Sequence, residues 1–313
     1  MIPECIYYLT YRCDSLCEHC LIWSDKKYQD IEEAPLDLIA KNLEALKVMG
    51  IKKILFTGGE PLLREDLPEI IDRAFQKGFE ISLITEGVLY PAVAEKIKNK
   101  IQHFYFSLDS PIKEIHERIR GVENFDEILS SLRQARDLKQ NPIIFFTLTR
   151  ETIAYLPEMV ELASNEGVRL WLNPAYHCRG LEGFTRDSIA YIKYFLKRKN
   201  VGGSLAALHF ISGRGNNIFF PRCRAVDTVI TLTPDNKVVG PCFFNQLQAE
   251  VIQENLPVLY QKIRILTRSK QGRNAIICQN CMRWDYILPS FKTGFDKYRL
   301  LEILQRRKVY YEQ

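Results

Sequence analysis

The chain has 313 residues, of which 46% are apolar, enough for one large or two moderate domains with a buried core. Its 43 Lys and Arg residues exceed its 38 Asp and Glu residues only slightly and are spread along the sequence, so charge gives no case for nucleic-acid binding. The sequence contains neither a run of roughly eighteen apolar residues nor a signal peptide, which predicts a cytoplasmic protein outside the membrane.

Up to about residue 175, apolar strand-like runs alternate with amphipathic helical patterns. Six strands alternating with helices indicate an α/β fold, a parallel sheet with helices outside it. Gly50, Gly78 and Gly167 follow three of the helical patterns and are typical helix ends. The predicted strands are residues 5–10, 53–56, 80–85, 103–108, 143–149 and 168–173. The predicted helices are residues 36–49, 66–77, 90–98, 125–138 and 155–166.

Three of the nine cysteines, Cys13, Cys17 and Cys20, follow the first strand in a CxxxCxxC pattern. Cysteines in a cytoplasmic chain favour metal or redox chemistry over disulfides. The pattern supplies one ligand fewer than the four of an iron–sulfur cubane, so a cluster here would leave one iron open. Zinc is the alternative, because it also takes Cys and His ligands and His19 lies between the second and third cysteines.

A second motif, Thr57-Gly58-Gly59-Glu60-Pro61, follows the second predicted strand. Alone it is a turn sequence, since many tight turns contain Gly and Pro. Together, in this order, the two motifs resemble those of radical S-adenosylmethionine (SAM) enzymes. In that family the amino and carboxylate groups of SAM chelate the fourth iron, and the Gly-Gly-Glu-Pro turn binds the SAM amino group.

The resemblance implies a partial TIM barrel of six βα units, open on one side, with its chemistry at the C-terminal ends of the strands. Thr85-Glu86-Gly87 stands where many relatives have Thr-Asn-Gly, and Glu86 would either touch SAM or face solvent. Ser107 and Asp109 match a Ser-Leu-Asp motif that lines the SAM and substrate pocket, although such residues are also ordinary helix caps.

Further strand ends carry polar residues that the resemblance assigns to the cofactor. Arg150 suits a carboxylate, but it could equally be a surface arginine. The segment from His116 to Asp126 resembles the His-Asp-x-x-Arg-Gly…Phe-Asp segment of peptide-modifying relatives, with an architectural role expected. The residues expected to bind the cofactor are His19, Gly58, Gly59, Glu60, Pro61, Thr85, Ser107, Asp109, Thr147, Arg150 and Asn173.

A change of sequence character beyond residue 180 predicts two domains, residues 1–185 and 186–313. The second begins with a helical stretch over 187–199 and a Gly-rich segment, and then has a hairpin pattern over 226–239. Cys223 precedes the hairpin, Cys242 follows it, and Cys278 and Cys281 form a final CxxC. This arrangement resembles the Twitch module, a shortened SPASM module that holds one auxiliary [4Fe-4S] cluster. A zinc ribbon is the alternative, because structural zinc uses similar cysteine sets.

Cys5 and Cys178 remain outside both sets. Cys5 opens an apolar strand and is expected to be a buried packing residue. Cys178 follows Tyr176 and His177 near the expected mouth of the barrel. A thiol there could donate a hydrogen atom to a substrate radical, as in radical epimerases, or simply pack.

The reaction implied by the resemblance begins with an electron from a donor such as flavodoxin or ferredoxin. Cleavage of SAM then gives a 5′-deoxyadenosyl radical that abstracts a substrate hydrogen. The first hypothesis is crosslinking, epimerisation or excision in a ribosomally made peptide. Because the chain starts almost at the cysteine loop, a separate peptide-recognition protein is then expected.

Two other functions compete with peptide modification. A small-molecule dehydrogenase, acting for instance on a sugar or aminocyclitol, would use the auxiliary cluster as electron acceptor. A non-catalytic zinc protein would bind zinc at both cysteine groups.

Overall fold

The computed structural model describes residues 3–175, 184–253, 255–271 and 278–310. Ten strands in these ranges form one sheet. In chain order they are β1 (Glu4–Thr10), β2 (Lys53–Gly58), β3 (Glu80–Thr85), β4 (His103–Ser107), β5 (Pro142–Leu148), β6 (Arg169–Pro174), β7 (Val201–Gly202), β8 (Val229–Leu232), β9 (Lys237–Pro241) and β10 (Gln246–Val251). Their spatial order is β10-β9-β8-β1-β2-β3-β4-β5-β6-β7.

The helices are α1 (Leu36–Val48), α2 (Leu67–Gln76), α3 (Tyr90–Ile97), α4 (Lys113–Arg120), α5 (Phe125–Asp137), α6 (Leu156–Asn165), α7 (Arg186–Phe195), α8 (Leu205–Ser212), α9 (Ala225–Thr228), α10 (Leu256–Gln271), α11 (Trp284–Phe291) and α12 (Lys297–Tyr310). Short 3-10 helices cover Lys26–Tyr28, Pro61–Leu63 and Thr152–Tyr155. Across the described parts of the chain, no helix is long and apolar enough to cross a bilayer.

The six predicted strands and five predicted helices of the first half are confirmed as β1 to β6 and as α1, α2, α3, α5 and α6. Gly50, Gly78 and Gly167 follow α1, α2 and α6 with φ of 78°, 73° and 68°. This left-handed conformation ends a helix at little cost only where Cβ is absent. Helix α4 was not predicted, and α8 lies inside the segment described only as Gly-rich.

Side chains alternate between the two faces of the parallel strands. One face is apolar and packs under the helices, as Phe56 and Phe106 do with no exposed surface. The other face, including Leu55 and Tyr105, lines a single cavity. Six neighbouring parallel strands that share one cavity are curved around it, so the predicted partial barrel is confirmed.

The predicted hairpin of the C-terminal part is confirmed as β8 and β9, which pair antiparallel. Strand β8 also pairs in parallel with β1, with Ile230 opposite Cys5, so the hairpin extends the barrel sheet. Cys5 itself is 1% exposed, as expected for a packing residue. The domain boundary after residue 185 remains a prediction.

Helix α11 lies across the side of the barrel between β6 and β1. Its Trp284 Nε1 donates to the Pro174 carbonyl at 3.0 Å, at the end of β6. Its Tyr286 hydroxyl is 3.1 Å from the hydroxyl of Tyr8 on β1. Because α11 also lines the cavity, the side expected to be open is covered by a helix from the C-terminal part.

Candidate active site

The cavity inside the barrel has a volume of about 510 Å³. Its lining includes both sequence motifs, which lie far apart in sequence but next to each other at the carboxyl ends of the strands. The residues predicted for the site that line it are Cys13, Cys17, His19, Cys20, Gly58, Gly59, Glu60, Thr85, Ser107, Thr147 and Asn173. Pro61, Asp109 and Arg150 are not in the lining.

The cysteine loop is fixed to the C-terminal end of α4. The backbone N–H of Leu16 donates to the Arg120 carbonyl at 2.8 Å, and that of Glu18 donates to the Ile119 carbonyl at 2.9 Å. Trp23 Nε1 donates to the Cys17 carbonyl at 2.8 Å. The segment around His116, expected to be architectural, therefore includes the helix that carries this loop.

Two side-chain properties suit the loop to a cluster with thiolate ligands. Burial raises the pKa of the Cys17 thiol to about 12, while the Arg120 guanidinium opposes that rise. A buried thiolate is therefore costly unless a cation or metal compensates it. Arg120 Nε is buried and has no hydrogen-bond partner among the described residues. An orphaned guanidinium N–H near Cys17 and Cys13 fits an anionic cluster with thiolate ligands.

The Gly-Gly-Glu-Pro turn is bonded to the residues that precede the cysteine loop. The Gly59 N–H donates to the Thr10 carbonyl at 2.8 Å, and the Glu60 N–H donates to the Arg12 carbonyl at the same distance. The Glu60 carboxylate is 2% exposed. Burial raises its pKa to about 7, against hydrogen bonds led by that from Thr85, which lower it. A buried carboxylate of this kind fits an ammonium group.

Glu86, which replaces the Asn of many relatives, is buried and lines the cavity, so the alternative that it faces solvent is wrong. Its carboxylate accepts hydrogen bonds from the Ser15 hydroxyl in the cysteine loop and, at 3.4 Å, from Asn124 Nδ2. Burial, and next a hydrogen bond with Asp14, raise its pKa to about 8. Glu86 therefore connects the end of β3 to the cysteine loop.

Asp109 lies behind the cavity wall with no exposed surface. Its Oδ2 is 3.3 Å from Arg120 Nη1 and 3.9 Å from His19 Nε2, and its Oδ1 accepts from the Thr147 N–H at 3.2 Å. Burial alone would raise the pKa of Asp109, but His19 and Arg120 bring it below its ordinary value. Asp109 thus orients two residues that do line the cavity. Arg150, by contrast, is exposed.

Sequence reasoning missed the aromatic wall of the cavity. Tyr105 makes edge contacts with Phe145 and Trp171, at centroid distances of 5.5 and 6.2 Å. Phe244, Arg283 and Trp284 line the same space from the C-terminal part. Arg283 and Trp284 follow the final CxxC closely, and this adjacency is the signal that could have marked them.

The four C-terminal cysteines are brought together by the fold. Burial raises the pKa of Cys223, and the other three thiols are near enough to raise it further. Two asparagines hold the site. Asn216 Oδ1 accepts from the Cys223 N–H at 3.0 Å, while Asn245 donates from its backbone N–H to Cys242 Sγ at 3.4 Å and from Nδ2 to Cys278 Sγ at 3.7 Å. Hydrogen bonds to sulfur are typical of iron–sulfur sites.

No three His, Cys, Asp or Glu side chains in the described ranges are placed to hold one metal ion. That geometry concerns a single ion, whereas each cysteine of a cubane binds a different iron. Cys178, together with Tyr176 and His177, lies outside the described residues.

Residues 7–163 match the profile of the family described as Radical SAM superfamily. The chain belongs to this superfamily. It is therefore a radical SAM enzyme, and the cofactors of the family are SAM and a [4Fe-4S] cluster.

Curated relatives of this radical SAM enzyme have several different activities. An Fe-coproporphyrin III synthase of Methanosarcina barkeri is 26% identical over 291 residues, which cover 90% of this chain and 67% of that protein. A PqqA peptide cyclase of Granulibacter bethesdensis is 30% identical over 198 residues, 60% of this chain and 46% of the cyclase. A GTP 3′,8-cyclase of Helicobacter pylori is 31% identical over 170 residues, 52% of each chain. The chain thus spans about half the length of the two cyclases.

Solved structures with the same fold include two that contain a bound peptide. SuiB of Streptococcus suis bound to the precursor peptide SuiA has a TM-score of 0.72 at 16% identity, over 96% of this chain and 73% of SuiB. Native anSMEcpe with bound AdoMet and the Cp18Cys peptide has a TM-score of 0.61 at 15% identity, over 98% of this chain and 96% of that chain. At these identities the likeness concerns the fold.

Proposed function

We propose that this radical SAM enzyme modifies a residue of a ribosomally made peptide by abstracting a hydrogen atom, with crosslinking, epimerisation or excision as the outcome. Bound SAM and cluster supply a 5′-deoxyadenosyl radical after one-electron reduction. Cys13, Cys17 and Cys20 are the proposed cluster ligands. A flavodoxin or ferredoxin is the proposed electron donor, and a separate protein the proposed means of peptide recognition.

The residues of this chain have distinct proposed roles around the cofactors. Glu60 accepts a hydrogen bond from the SAM ammonium group, and His19, Thr85, Ser107, Thr147 and Asn173 line the SAM pocket. Arg120 offsets negative charge at the cysteine loop, where its Nε has no other partner in the described part of the chain. The aromatic wall of Tyr105, Phe145 and Trp171 excludes water from the reacting carbon.

The observation that carries the proposal is the wall shared by the two cysteine sites. Arg283 and Trp284 line the cavity and come two and three residues after Cys281, while Phe244 lines it two residues after Cys242. A four-cysteine cluster there would lie beside the substrate, as suits an electron acceptor or a structural support for a peptide. We assign it as an auxiliary [4Fe-4S] cluster in a Twitch-like domain over residues 186–313.

Peptide substrates have independent support from the relatives. PqqA peptide cyclase is named for a peptide, and the SuiB and anSMEcpe structures contain peptides. The likeness to SuiB extends over 96% of this chain, including the C-terminal part. A peptide is therefore the preferred substrate.

A small-molecule substrate is the second candidate, and one observation favours it. The alignment with the Fe-coproporphyrin III synthase extends over 90% of this chain, more than the alignment with the peptide cyclase. The name of that relative refers to an iron porphyrin. A dehydrogenase or similar oxidoreductase of a small molecule, a sugar or aminocyclitol included, would use the same cofactor residues.

The test uses anaerobically reconstituted protein with SAM and dithionite. One arm contains a short peptide encoded beside the gene, and the other contains a porphyrin or a sugar alcohol. Peptide modification predicts substrate-dependent 5′-deoxyadenosine and a matching change in peptide mass, both absent in Cys17→Ala. Turnover only in the small-molecule arm would overturn the peptide proposal. Stoichiometric zinc without sulfide would overturn the cluster assignments.

A further inference from the structure

Arg283 lies between the second cysteine site and the cavity. It is the N-cap residue of α11 and comes two residues after Cys281. Its guanidinium carbon is 4.0 Å from the centroid of the Phe244 ring, and its side chain lines the cavity. This contact holds the guanidinium against the Phe244 ring and so limits the directions in which its N–H groups can donate.

Two of the three guanidinium nitrogens lack a hydrogen-bond acceptor. Nε and Nη1 of Arg283 are buried and have no hydrogen-bond partner among the described residues. An unmade hydrogen bond of a buried polar group costs about 1–3 kcal/mol, and more when the group is charged. Such donors point to an acceptor that the polypeptide itself does not supply.

The sulfur atoms of the second cysteine site are the candidate acceptors for the N–H groups of Arg283. Phe244, on which the guanidinium packs, is followed by Asn245, which donates hydrogen bonds to Cys242 Sγ at 3.4 Å and to Cys278 Sγ at 3.7 Å. The guanidinium of Arg283 therefore lies between the segment that carries Cys281 and the segment that carries Cys242.

We propose that Arg283 donates hydrogen bonds to the sulfur atoms of the second cluster and stabilises its reduced form. This inference rests on the proposed auxiliary [4Fe-4S] cluster. Positive charge and hydrogen bonds at the sulfurs raise the reduction potential of such a cluster, because reduction adds negative charge. Arg283 would thereby keep the cluster beside the substrate reducible.

The test measures the midpoint potential of the second cluster by EPR-monitored titration with dithionite. The full-length chain carries Ala at Cys13, Cys17 and Cys20, so that only the second cluster remains. In this background we compare Arg283 with R283M and R283K. The matched control is R299M, which removes a guanidinium stacked on Phe295 at 4.7 Å, in a different part of the surface.

R283M is expected to lower the ratio of reduced to oxidised cluster at least tenfold at a fixed applied potential. For a one-electron couple this corresponds to a midpoint potential about 59 mV more negative. R283K is expected to shift the midpoint potential less than R283M, and R299M is expected to leave it unchanged. An unchanged potential in R283M with full iron content would overturn the proposal. If R283M fails to hold iron, R283K decides, since an unchanged potential there also overturns it. Absence of a second cluster in the parent chain would instead overturn the auxiliary-cluster assignment, whatever Arg283 does.

Discussion

The hydroxyl of Thr85 donates a 2.6 Å hydrogen bond to Glu60 Oε1 and so joins the end of β3 to the turn after β2. The backbone N–H groups of Glu86 and Leu62 donate to the same carboxylate at 2.7 and 2.8 Å. The turn motif and the neighbouring strand end therefore build one anionic site. A cation that reaches it from the cavity finds a carboxylate already oriented.

Glu60→Gln should weaken SAM binding by roughly 10- to 100-fold. A hydrogen bond to a charged group contributes about 1.5–3 kcal/mol, and each 1.4 kcal/mol is about a factor of ten in affinity. Equilibrium dialysis of SAM against reconstituted protein measures the change. Glu65→Gln, at an exposed position after the same turn, should bind SAM like the parent. Unchanged affinity in Glu60→Gln would contradict the assigned role.

Cys17→Ala should remove one cluster and leave the other. Because each cubane contains four irons, iron and sulfide should fall from about eight to about four per chain, with loss of SAM cleavage. Cys5→Ala is the control, since Cys5 is a buried packing residue of β1. It should keep both clusters at a modest cost in stability. Retained SAM cleavage in Cys17→Ala would refute the ligand assignment.

Gly59→Ala should disrupt the turn by steric clash alone. A Cβ at residue 59 would lie 2.0 Å from the Arg12 carbonyl oxygen, which is itself bonded to the Glu60 N–H. The Arg12 carbonyl and the Glu60 N–H both belong to the backbone. Neither group can move away from the added Cβ without breaking the hydrogen bond that joins the turn to the residues before the cysteine loop. SAM binding should be lost, and the urea midpoint should fall.

Gly294→Ala is the contrasting control for Gly59→Ala. Gly294 has a φ of +76°, but nothing lies within 4 Å of an added Cβ. It should cost only about 1–2 kcal/mol for the left-handed conformation and leave SAM binding intact. Equal losses of SAM binding in both variants would show that general destabilisation, not the contact with Arg12, is responsible.

Local sequence patterns were enough to predict β1 to β6 and the five helices between them, because each is amphipathic or apolar over its own length. Contacts between distant segments were not accessible in the same way. The parallel pairing of Ile230 with Cys5 and the hydrogen bond from Trp284 to Pro174 each join residues more than 100 positions apart. No local pattern records such pairings.

In the candidate site, too, the residues in local motifs could be predicted, whereas those placed by contacts between distant segments could not. The residues that motifs single out, such as Glu60 and Cys17, do line the cavity. Arg283 does not belong to any recognised pattern, and a charged residue in a sequence is ordinarily expected on the surface. Its place in the cavity wall follows from the packing of α11 across the barrel. The burial of Glu86 likewise depends on the Ser15 and Asn124 side chains that surround it.

The last prediction concerns His116, which fastens α4 to the end of β4. The Asp109 N–H donates to His116 Nδ1 at 3.1 Å, and Nε2 is 3.0 Å from Asn124 Oδ1. Burial lowers the pKa of His116 to about 4, below its ordinary value of 6.5. The unfolded chain therefore binds the proton first as the pH falls. The stability that neutral His116 contributes is complete above about pH 6.5 and is lost between about pH 6.5 and pH 4.

Between pH 8 and pH 5 this linkage should lower the free energy of unfolding by about 2 kcal/mol, since one pKa unit corresponds to about 1.36 kcal/mol. Urea unfolding of the parent and of His116→Gln at both pH values isolates the contribution, because other titrating groups are common to the two proteins. His116→Gln should be less stable than the parent at pH 8, and the difference should shrink by this amount at pH 5. A difference that stays constant with pH would mean that the His116 ring is protonated as readily in the folded chain as in the unfolded one.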